Sequence, residues 1–321
     1  MKLRNYLHAF GIPLIMLILI LLTEVLEHTV HLPFHLHFIL FLIAGGYVCF
    51  DTLVTIWRSK KITAGILVVL ALIGCAYTGD YHEGAEVSFM MILGEALEHF
   101  AVEKTKLTVN LMAHPIDTCC HGCSGVHTGD GTHAGRLADR FSAVFLPIVL
   151  CIGILVWFLT KDIRRVMTIF VIACPCSLML SSPIAVLTCI GNASKNGILL
   201  TGGEMVEQCG SIKSTTFDKE KNLYIADNGL TLGATTDADV IFTKDSAQAL
   251  PYALALTKKS CRIIWQNIFV FAFAVNLTGI LLSSLGLLNP VLAALVHNIS
   301  SLCVVLNSLR LLKFSKKECV R

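Results

Sequence analysis

The most informative stretch of the chain reads Val171-Ile172-Ala173-Cys174-Pro175-Cys176-Ser177 and lies within a long apolar run. Pro175 lacks a backbone N–H and its ring clashes with the preceding turn, so the sequence predicts a broken helix. In a bilayer such a break persists only where neighbouring groups bond to the freed carbonyls. Two thiols flank the break, and thiolates are soft ligands for Cu⁺, Zn²⁺ and similar ions. Because transporters bind their substrates at broken helices, the motif favours a metal site over a kink with two packed cysteines.

The composition places this motif in a membrane protein. Of the 321 residues, 55% are hydrophobic and 15% are charged, with a net charge of +3 and a mean hydropathy of +0.73. Soluble domains carry roughly 25% charged residues, so a cytosolic globule, a disordered tail and a nucleic-acid binder are excluded. The apolar runs predict eight transmembrane helices, at about residues 8–25, 35–56, 62–79, 84–103, 139–160, 165–190, 263–285 and 289–312. We therefore expect an all-α polytopic membrane protein with a small residual α/β cytoplasmic segment.

The distribution of basic residues predicts the orientation. The first span is expected to be a membrane anchor, with both termini cytoplasmic and the protein in the cell membrane. Of the 25 Lys and Arg residues, only Lys161, Arg164 and Arg165 then fall outside. This agrees with the positive-inside rule, but the three exceptions share one short loop and are a local conflict.

Two cytoplasmic insertions separate the predicted spans. Residues 104–138 form a short polar loop between the first four helices (1–103) and the fifth and sixth (139–190). Metal-ligand spacing in this loop predicts a metal-holding segment over a plain linker; its candidate ligands are Cys119, Cys120, His121, Cys123, His127 and His133. Residues 191–262 are a mixed segment before the last two helices and the tail (263–321). Short strands are expected there at residues 214–217 and 239–242.

Several motifs resemble those of the heavy-metal-transporting P-type ATPases, and they occur along the chain in the same order as in that family. These are Ala173-Cys174-Pro175-Cys176-Ser177, Gly191-Asn192-Ala193-Ser194-Lys195-Asn196-Gly197, Thr216-Phe217-Asp218-Lys219, Gly94-Glu95-Ala96-Leu97-Glu98 and Arg136-Leu137-Ala138-Asp139-Arg140-Phe141. Further matches open the seventh span at Gln266-Asn267 and close the eighth at residues 304–311. The resemblance covers nearly the whole membrane part and implies translocation of a metal ion.

The resemblance implies a ligand set around the Cys-Pro-Cys motif. Cys174 and Cys176 would be the central ligands. Asn276 falls where copper exporters of the family carry Asn, and Ser300 and Ser301 keep their Ser-Ser pattern. His297 falls where copper exporters carry Met and zinc exporters carry Asp, so the ion is left open among Zn, Cu, Cd and Co. A hydrogen-bonded packing histidine is the alternative for His297.

The resemblance also implies residues outside this centre. Glu98 and Asp139 match the carboxylates where the ion enters from the cytoplasm, although ordinary charged helix ends are the alternative. Gly45 and Gly46 match a double-glycine kink in the second helix, although small residues also serve close packing. Pro175 would be the structural breaker of the sixth helix.

The soluble machinery of the family is incomplete in this sequence. An actuator domain does not fit in residues 104–138, and residues 191–262 would be a reduced remnant of the phosphorylation domain. Asp218 stands at the phosphoacceptor position. Glu220 occupies the place where the family has Thr, and its negative charge would repel an incoming phosphate. We therefore expect that Asp218 is vestigial, that the chain does not use ATP or Mg²⁺, and that no phosphoenzyme forms.

Three functions remain open at this point. The first is a heavy-metal-binding and translocating membrane core, either naturally reduced or deliberately shortened, whose partners are the metal ion, membrane lipid and a protein that supplies the missing cytoplasmic domains. The second is a metal sensor or structural membrane subunit without transport. The third is an active metal-exporting ATPase. A redox role for Cys174 and Cys176 is weaker, because thiols at the midplane are poorly reachable.

Overall fold

The fold is described from a computed structural model. The structure describes residues 11–23, 36–59, 65–113, 133–200, 202–220, 223–234, 238–243 and 246–315. These residues divide between two compact units. The first unit comprises Met1–Phe100, Arg140–Ser177 and Val270–Leu302; the second comprises Ala101–Asp139, Leu178–Phe269 and Cys303–Arg321.

Helices form wherever the sequence carries an apolar run. In chain order they are α1 (Gly11–Thr23), α2 (Leu36–Ser59), α3 (Gly65–Thr78), α4 (Tyr81–Ala113), α5 (His133–Thr160), α6 (Ile163–Ile172), α7 (Cys176–Lys195), α8 (Gly203–Ser211), α9 (Ser246–Gln266), α10 (Val275–Ser284) and α11 (Pro290–Leu309). A π-helix (Asn267–Ala274) joins α9 to α10, and a 3₁₀ turn (Arg310–Lys313) follows α11.

Four segments of the described chain are long and apolar enough to cross a membrane. They are His37–Arg58, Ile163–Lys195, Ala249–Ser284 and Pro290–Lys313. Three shorter apolar helices accompany them, at Gly11–Thr23, Gly65–Thr78 and Val144–Thr160. The chain is thus a largely helical integral membrane protein, and the expected total of eight spans stays a prediction.

Helices flank the polar segment predicted at 104–138 and extend into it at both ends. Helix α4 continues to Ala113 and α5 already begins at His133. The membrane spans predicted at 84–103 and 139–160 lie within these two helices. Outside a bilayer, however, Ala, Glu, Lys and Leu have high helix propensity, so a helix can extend beyond its apolar part.

Close helix packing in the first unit centres on α6. It contacts α3 on one side and α10 on another. A Cβ atom at Gly74 of α3 would overlap the side chain of Met167, and one at Gly279 of α10 would overlap Ile172. Small residues therefore let both neighbours approach α6, as expected for helices that associate in a membrane.

The basic residues in the turn between α5 and α6 each contact a nearby group. Arg164 makes a bidentate pair with Asp80, at 3.1 Å from Nε and 2.6 Å from Nη2. Arg165 binds Asp162 at 3.1 Å and donates to the carbonyl oxygen of Ser284 at 3.2 Å. The ammonium group of Lys161 lies 5.0 Å from the centroid of the Trp157 ring. Each basic residue in the turn is thus paired locally.

The second unit contains a five-stranded sheet. Its strands are β1 (Ile198–Leu200), β2 (Thr215–Asp218), β3 (Leu223–Ala226), β4 (Thr231–Gly233) and β5 (Val240–Phe242), in the order β1-β5-β4-β3-β2. Among the described strands, β4 and β5 pair in parallel and the other neighbours pair antiparallel. Both predicted strands are confirmed as β2 and β5. They differ in burial: Val240 and Phe242 of β5 are buried, whereas Phe217 of β2 is exposed.

A buried polar network organises the second unit near the end of α7. The amide of Asn192 donates to the carbonyl oxygens of Leu311 and Phe314, at 2.5 Å and 3.0 Å. The hydroxyl of Tyr252 donates to Asn192 Oδ1 at 2.7 Å. These bonds hold the 3₁₀ turn after α11 against α7 and α9.

Candidate metal centre

The helix is interrupted at the position of Pro175. Helix α6 ends at Ile172, and the N–H of Ala173 still donates to Ile169 O at 3.0 Å. Cys174 and Pro175 are not helical, and α7 begins at Cys176. The missing N–H and the ring of Pro175 give the physical cause of this interruption.

Asn276 compensates for the interruption. Its side-chain N–H donates to the carbonyl oxygen of Cys174 at 3.1 Å, and its side chain is 5% exposed. The bond comes from α10, which packs on α6. Its Oδ1 atom is also buried and has no hydrogen-bond partner among the described residues. One end of this amide therefore stabilises the break, while the other presents an unused lone pair.

Helix α11 carries further buried polar groups. His297 is 2% exposed and Ser301 is 3% exposed. Within the described part of the chain, neither His297 Nδ1 nor Ser301 Oγ has a hydrogen-bond partner. Both atoms can donate an electron pair to a cation.

Ser300 has a different role from Ser301. Its hydroxyl donates to the carbonyl oxygen of Phe271, which lies in the π-helix. A π-helical turn leaves backbone groups off the regular ladder. Ser300 therefore satisfies a backbone carbonyl, and this contact ties α11 to the π-helix.

Cys174 lies at the centre of the broken helix and is 1% exposed. It is disulfide-bonded in the structure. Metal ligation needs the thiolate, and hence a reduced sulfur. The side chain of Cys176 lies outside the described residues. Among the side chains that are described, no three His, Cys, Asp or Glu form a group that could hold a metal ion.

Ser177 was missed as a candidate. Its hydroxyl is fully buried, directly after the Cys-Pro-Cys motif, and lacks a hydrogen-bond partner in the described chain. The available signal was its position in the quoted motif, one residue after Cys176.

For other predicted site residues, the structure describes the backbone but not the side chain, or neither. Glu98 lies on α4 and Asp139 on α5, but their side chains fall outside the description. The same holds for the proposed metal loop, whose residues are Cys119, Cys120, His121, Cys123, His127 and His133; only the backbone of His133 is described, in α5. Helix α2 runs through Gly45 and Gly46 without interruption, so the kink stays a prediction.

Asp218 ends strand β2 at the edge of the sheet. Its Oδ1 atom accepts a hydrogen bond from the backbone N–H of Glu220 at 2.9 Å. This is a local turn in which the side chain binds the chain two residues later. The carboxylate and the Glu220 side chain thus lie on the same short turn.

The arrangement defines a class: an integral membrane protein with a broken helix and buried electron-pair donors on the helices that follow. No protein-family model matches the chain. A manganese-exporting P-type ATPase of Mycobacterium leprae is 38% identical over 89 residues, or 28% of this chain and 12% of that protein. A zinc-exporting P-type ATPase of Mycobacterium marinum has the same identity and coverage. A probable cadmium-transporting ATPase of Staphylococcus aureus is 33% identical over 106 residues, or 30% of this chain and 14% of that protein.

A solved structure also has a similar fold. It is a zinc-transporting PIB-type ATPase in the E2.Pi state, with a TM-score of 0.56 and 13% identity, covering 95% of this chain and 99% of that one. At this identity the likeness concerns the fold alone. In sequence, part of the chain is similar to heavy-metal P-type ATPases, and the matched segment is 12% to 14% of the length of the curated relatives named here.

Proposed function

We propose that this chain is a metal-binding and translocating membrane core of the heavy-metal P-type ATPase kind. The observation that carries the proposal is a set of buried atoms without hydrogen-bond partners among the described residues: Asn276 Oδ1, His297 Nδ1 and Ser301 Oγ. Leaving a buried polar atom unpaired costs about 1–3 kcal/mol. A bound cation would offset this cost, because each atom can donate an electron pair.

The proposed ligands combine soft and harder donors. Cys174 and Cys176 supply thiolates after reduction, and His297 supplies an imidazole nitrogen. Asn276 Oδ1 and Ser301 Oγ supply oxygens, while Ser300 is a weaker candidate because it already binds Phe271. The entrance carboxylates would be Glu98 and Asp139.

The donor set bears on the choice of ion. Relatives are named as manganese-, zinc- and cadmium-transporting proteins. Thiolates and imidazole favour Zn²⁺, Cd²⁺ or copper, and Mn²⁺ is the weakest binder in the divalent series. We therefore expect this chain to prefer Zn²⁺ or Cd²⁺ to Mn²⁺.

Elemental analysis of the protein, purified under reducing conditions, tests the binding site. The wild-type chain should retain a transition metal, and Cys174→Ser with Cys176→Ser or His297→Ala should lose it. His297→Met should shift the preference from zinc towards copper. Cys151→Ser is the matched control, since Cys151 is an exposed free cysteine on α5. Equal metal content in all variants contradicts the proposed site.

Flux measurements separate transport from sensing. Protein in vesicles should pass the bound ion down its concentration gradient, and the double cysteine variant should not. Metal binding without flux in the wild type would instead favour the sensor or structural role.

The proposal includes no phosphoryl transfer by this chain alone. It is supported by Asp218, whose carboxylate accepts from Glu220 N in a turn that lacks the family's Thr and Gly. Glu220 adds a negative charge next to any incoming phosphate. Metal-stimulated ATP turnover by the purified chain would contradict this part and favour an active exporter.

The proposed orientation has both termini in the cytoplasm of the cell. It is supported by the positive-inside rule, because only Lys161, Arg164 and Arg165 of the 25 Lys and Arg residues would then lie outside. Labelling of an engineered cysteine at Lys161 by a membrane-impermeant reagent should occur only from outside intact cells.

A further inference from the structure

Asn298 connects α11 to α4 immediately after His297. Its side-chain N–H donates to the backbone carbonyl oxygen of Met90 at 2.6 Å. The residue is half-buried, and the two bonded positions lie 208 residues apart in the chain. The bond joins two different helices and therefore fixes the position of α11 against α4.

The surface of α4 is shaped to receive this amide. Gly94 lies one helical turn after Met90, so both face the same side of α4. A Cβ atom at position 94 would overlap Asn298 Oδ1 and would lie only 3.1 Å from its Cγ atom. Glycine at this position is therefore what lets the amide reach the carbonyl of Met90.

A second contact holds α11 on another side. Ser300 donates to Phe271 O in the π-helix. Residues on an α-helix are spaced by about 100° around the axis. Taking His297 as reference, Ser301 lies at about 40°, Asn298 at about 100° and Ser300 at about −60°. The two anchors thus flank the arc of α11 that carries His297 and Ser301.

We infer that Asn298 is a positioning residue for the metal centre. By binding Met90 O over Gly94, it sets the rotation and height of α11 and thereby aims the imidazole of His297 and the hydroxyl of Ser301. The inference rests on the proposed function, because it assigns a role within the same centre. Residues that orient metal ligands without touching the metal typically change metal affinity by about 10–100-fold when replaced.

The test compares Asn298→Ala with Gly94→Ala in the full chain under reducing conditions. Zn²⁺ affinity is measured by competition with a chromophoric chelator, and the optical spectrum of the Co²⁺-loaded protein reports ligand geometry. Each variant should bind Zn²⁺ about 10–100-fold more weakly and shift the Co²⁺ bands. Gly94→Ala keeps the amide donor but displaces it, so it tests the geometry even if Asn298→Ala folds poorly.

The double variant gives a sharper result. Once Asn298 is truncated, the methyl group at position 94 has room, so Gly94→Ala with Asn298→Ala should be no weaker than Asn298→Ala alone. Residues in contact are expected to show such non-additive effects. Ile299→Ala is the matched control, since Ile299 is 53% exposed on the same helix, and it should keep wild-type affinity and spectrum.

Two outcomes overturn the inference in distinguishable ways. If the wild type binds metal through Cys174 and His297 but Asn298→Ala has unchanged affinity and Co²⁺ spectrum, only the positioning role is wrong. If the wild type binds no metal, or if the Cys174 and His297 variants bind metal as well as the wild type, both the proposed function and the positioning role of Asn298 are wrong.

Discussion

The side-chain N–H of Asn276 lies 3.1 Å from the carbonyl oxygen of Cys174, although 102 residues separate them in the chain. This bond satisfies a carbonyl that the helix break at Pro175 would otherwise leave exposed to an apolar environment. The Oδ1 atom of the same amide is buried and has no hydrogen-bond partner among the described residues. Asn276 therefore combines an N–H that stabilises the backbone with a buried oxygen that we propose as a metal ligand.

Asn276→Ala should lower both stability and metal affinity. Removing the donor leaves the Cys174 carbonyl unpaired, at a cost of about 1–3 kcal/mol. Thermal unfolding in detergent and a Zn²⁺ titration measure the two effects. Leu281→Ala is the matched control, because Leu281 is 58% exposed on the same helix and should leave metal affinity unchanged. An Asn276→Ala protein as stable as the control would contradict the role of this bond.

Reduction should be required for metal binding. Cys174 is disulfide-bonded in the structure, and only a thiolate is a metal ligand. Oxidised protein should bind Zn²⁺ weakly, and treatment with a reductant should restore binding in the wild type but not in Cys174→Ser. Affinity that is equal before and after reduction would exclude Cys174 as a ligand.

Asp80→Asn should destabilise the protein slightly, and only above acidic pH. The hydrogen bond from Arg164 is the main cause that holds the pKa of Asp80 below its ordinary value of 3.8. A carboxyl group with a lowered pKa stabilises the folded state above its ordinary pKa and loses that contribution as the pH falls through the lowered value. Since Arg164 is largely exposed, we expect about 0.5–1 kcal/mol at neutral pH.

Thermal unfolding of the wild type and Asp80→Asn between pH 3 and pH 8 measures this difference. The gap should stay constant from neutral pH down to about pH 5 and shrink below about pH 4. Glu220→Gln, an exposed carboxylate of the second unit, serves as the control. A gap that grows on acidification would show that the sign is wrong.

Asp218→Asn should leave metal binding and flux unchanged. The Asp218 carboxylate lies in a local turn with Glu220 N and belongs to the second unit, whereas the proposed ligands belong to the first. Incubation with radiolabelled ATP should label neither the wild type nor the variant. Acid-stable labelling of the wild type that is lost in Asp218→Asn would establish a phosphoenzyme.

Much of the fold was predictable from local pattern. Apolar runs located the helices, and short strand-like segments located β2 and β5. Pro175 located the break between α6 and α7, because a missing N–H acts within a single helical turn. The spans predicted at 84–103 and 139–160 lie within α4 and α5, whose ends hydropathy does not report because a helix can continue into water.

The candidate site was only partly predictable. The motif and the resemblance pointed to Cys174, Asn276, His297, Ser300 and Ser301, all of which are buried in the structure. Ser177 was overlooked, and the different roles of Ser300 and Ser301 could not be foreseen. Both hydroxyls follow His297 on one helix, and only the neighbour of each decides whether it is already bonded.

The sequence by itself determined the class of protein, the helices and the position of the break, because composition and proline act through the bilayer and the nearest turn. Tertiary structure decided which groups meet: the Asn276 amide on Cys174 O and the Asn298 amide on Met90 O over Gly94. Such contacts depend on the rotation and height of whole helices. Those are set by side-chain packing between residues far apart in the chain, where no local pattern records them.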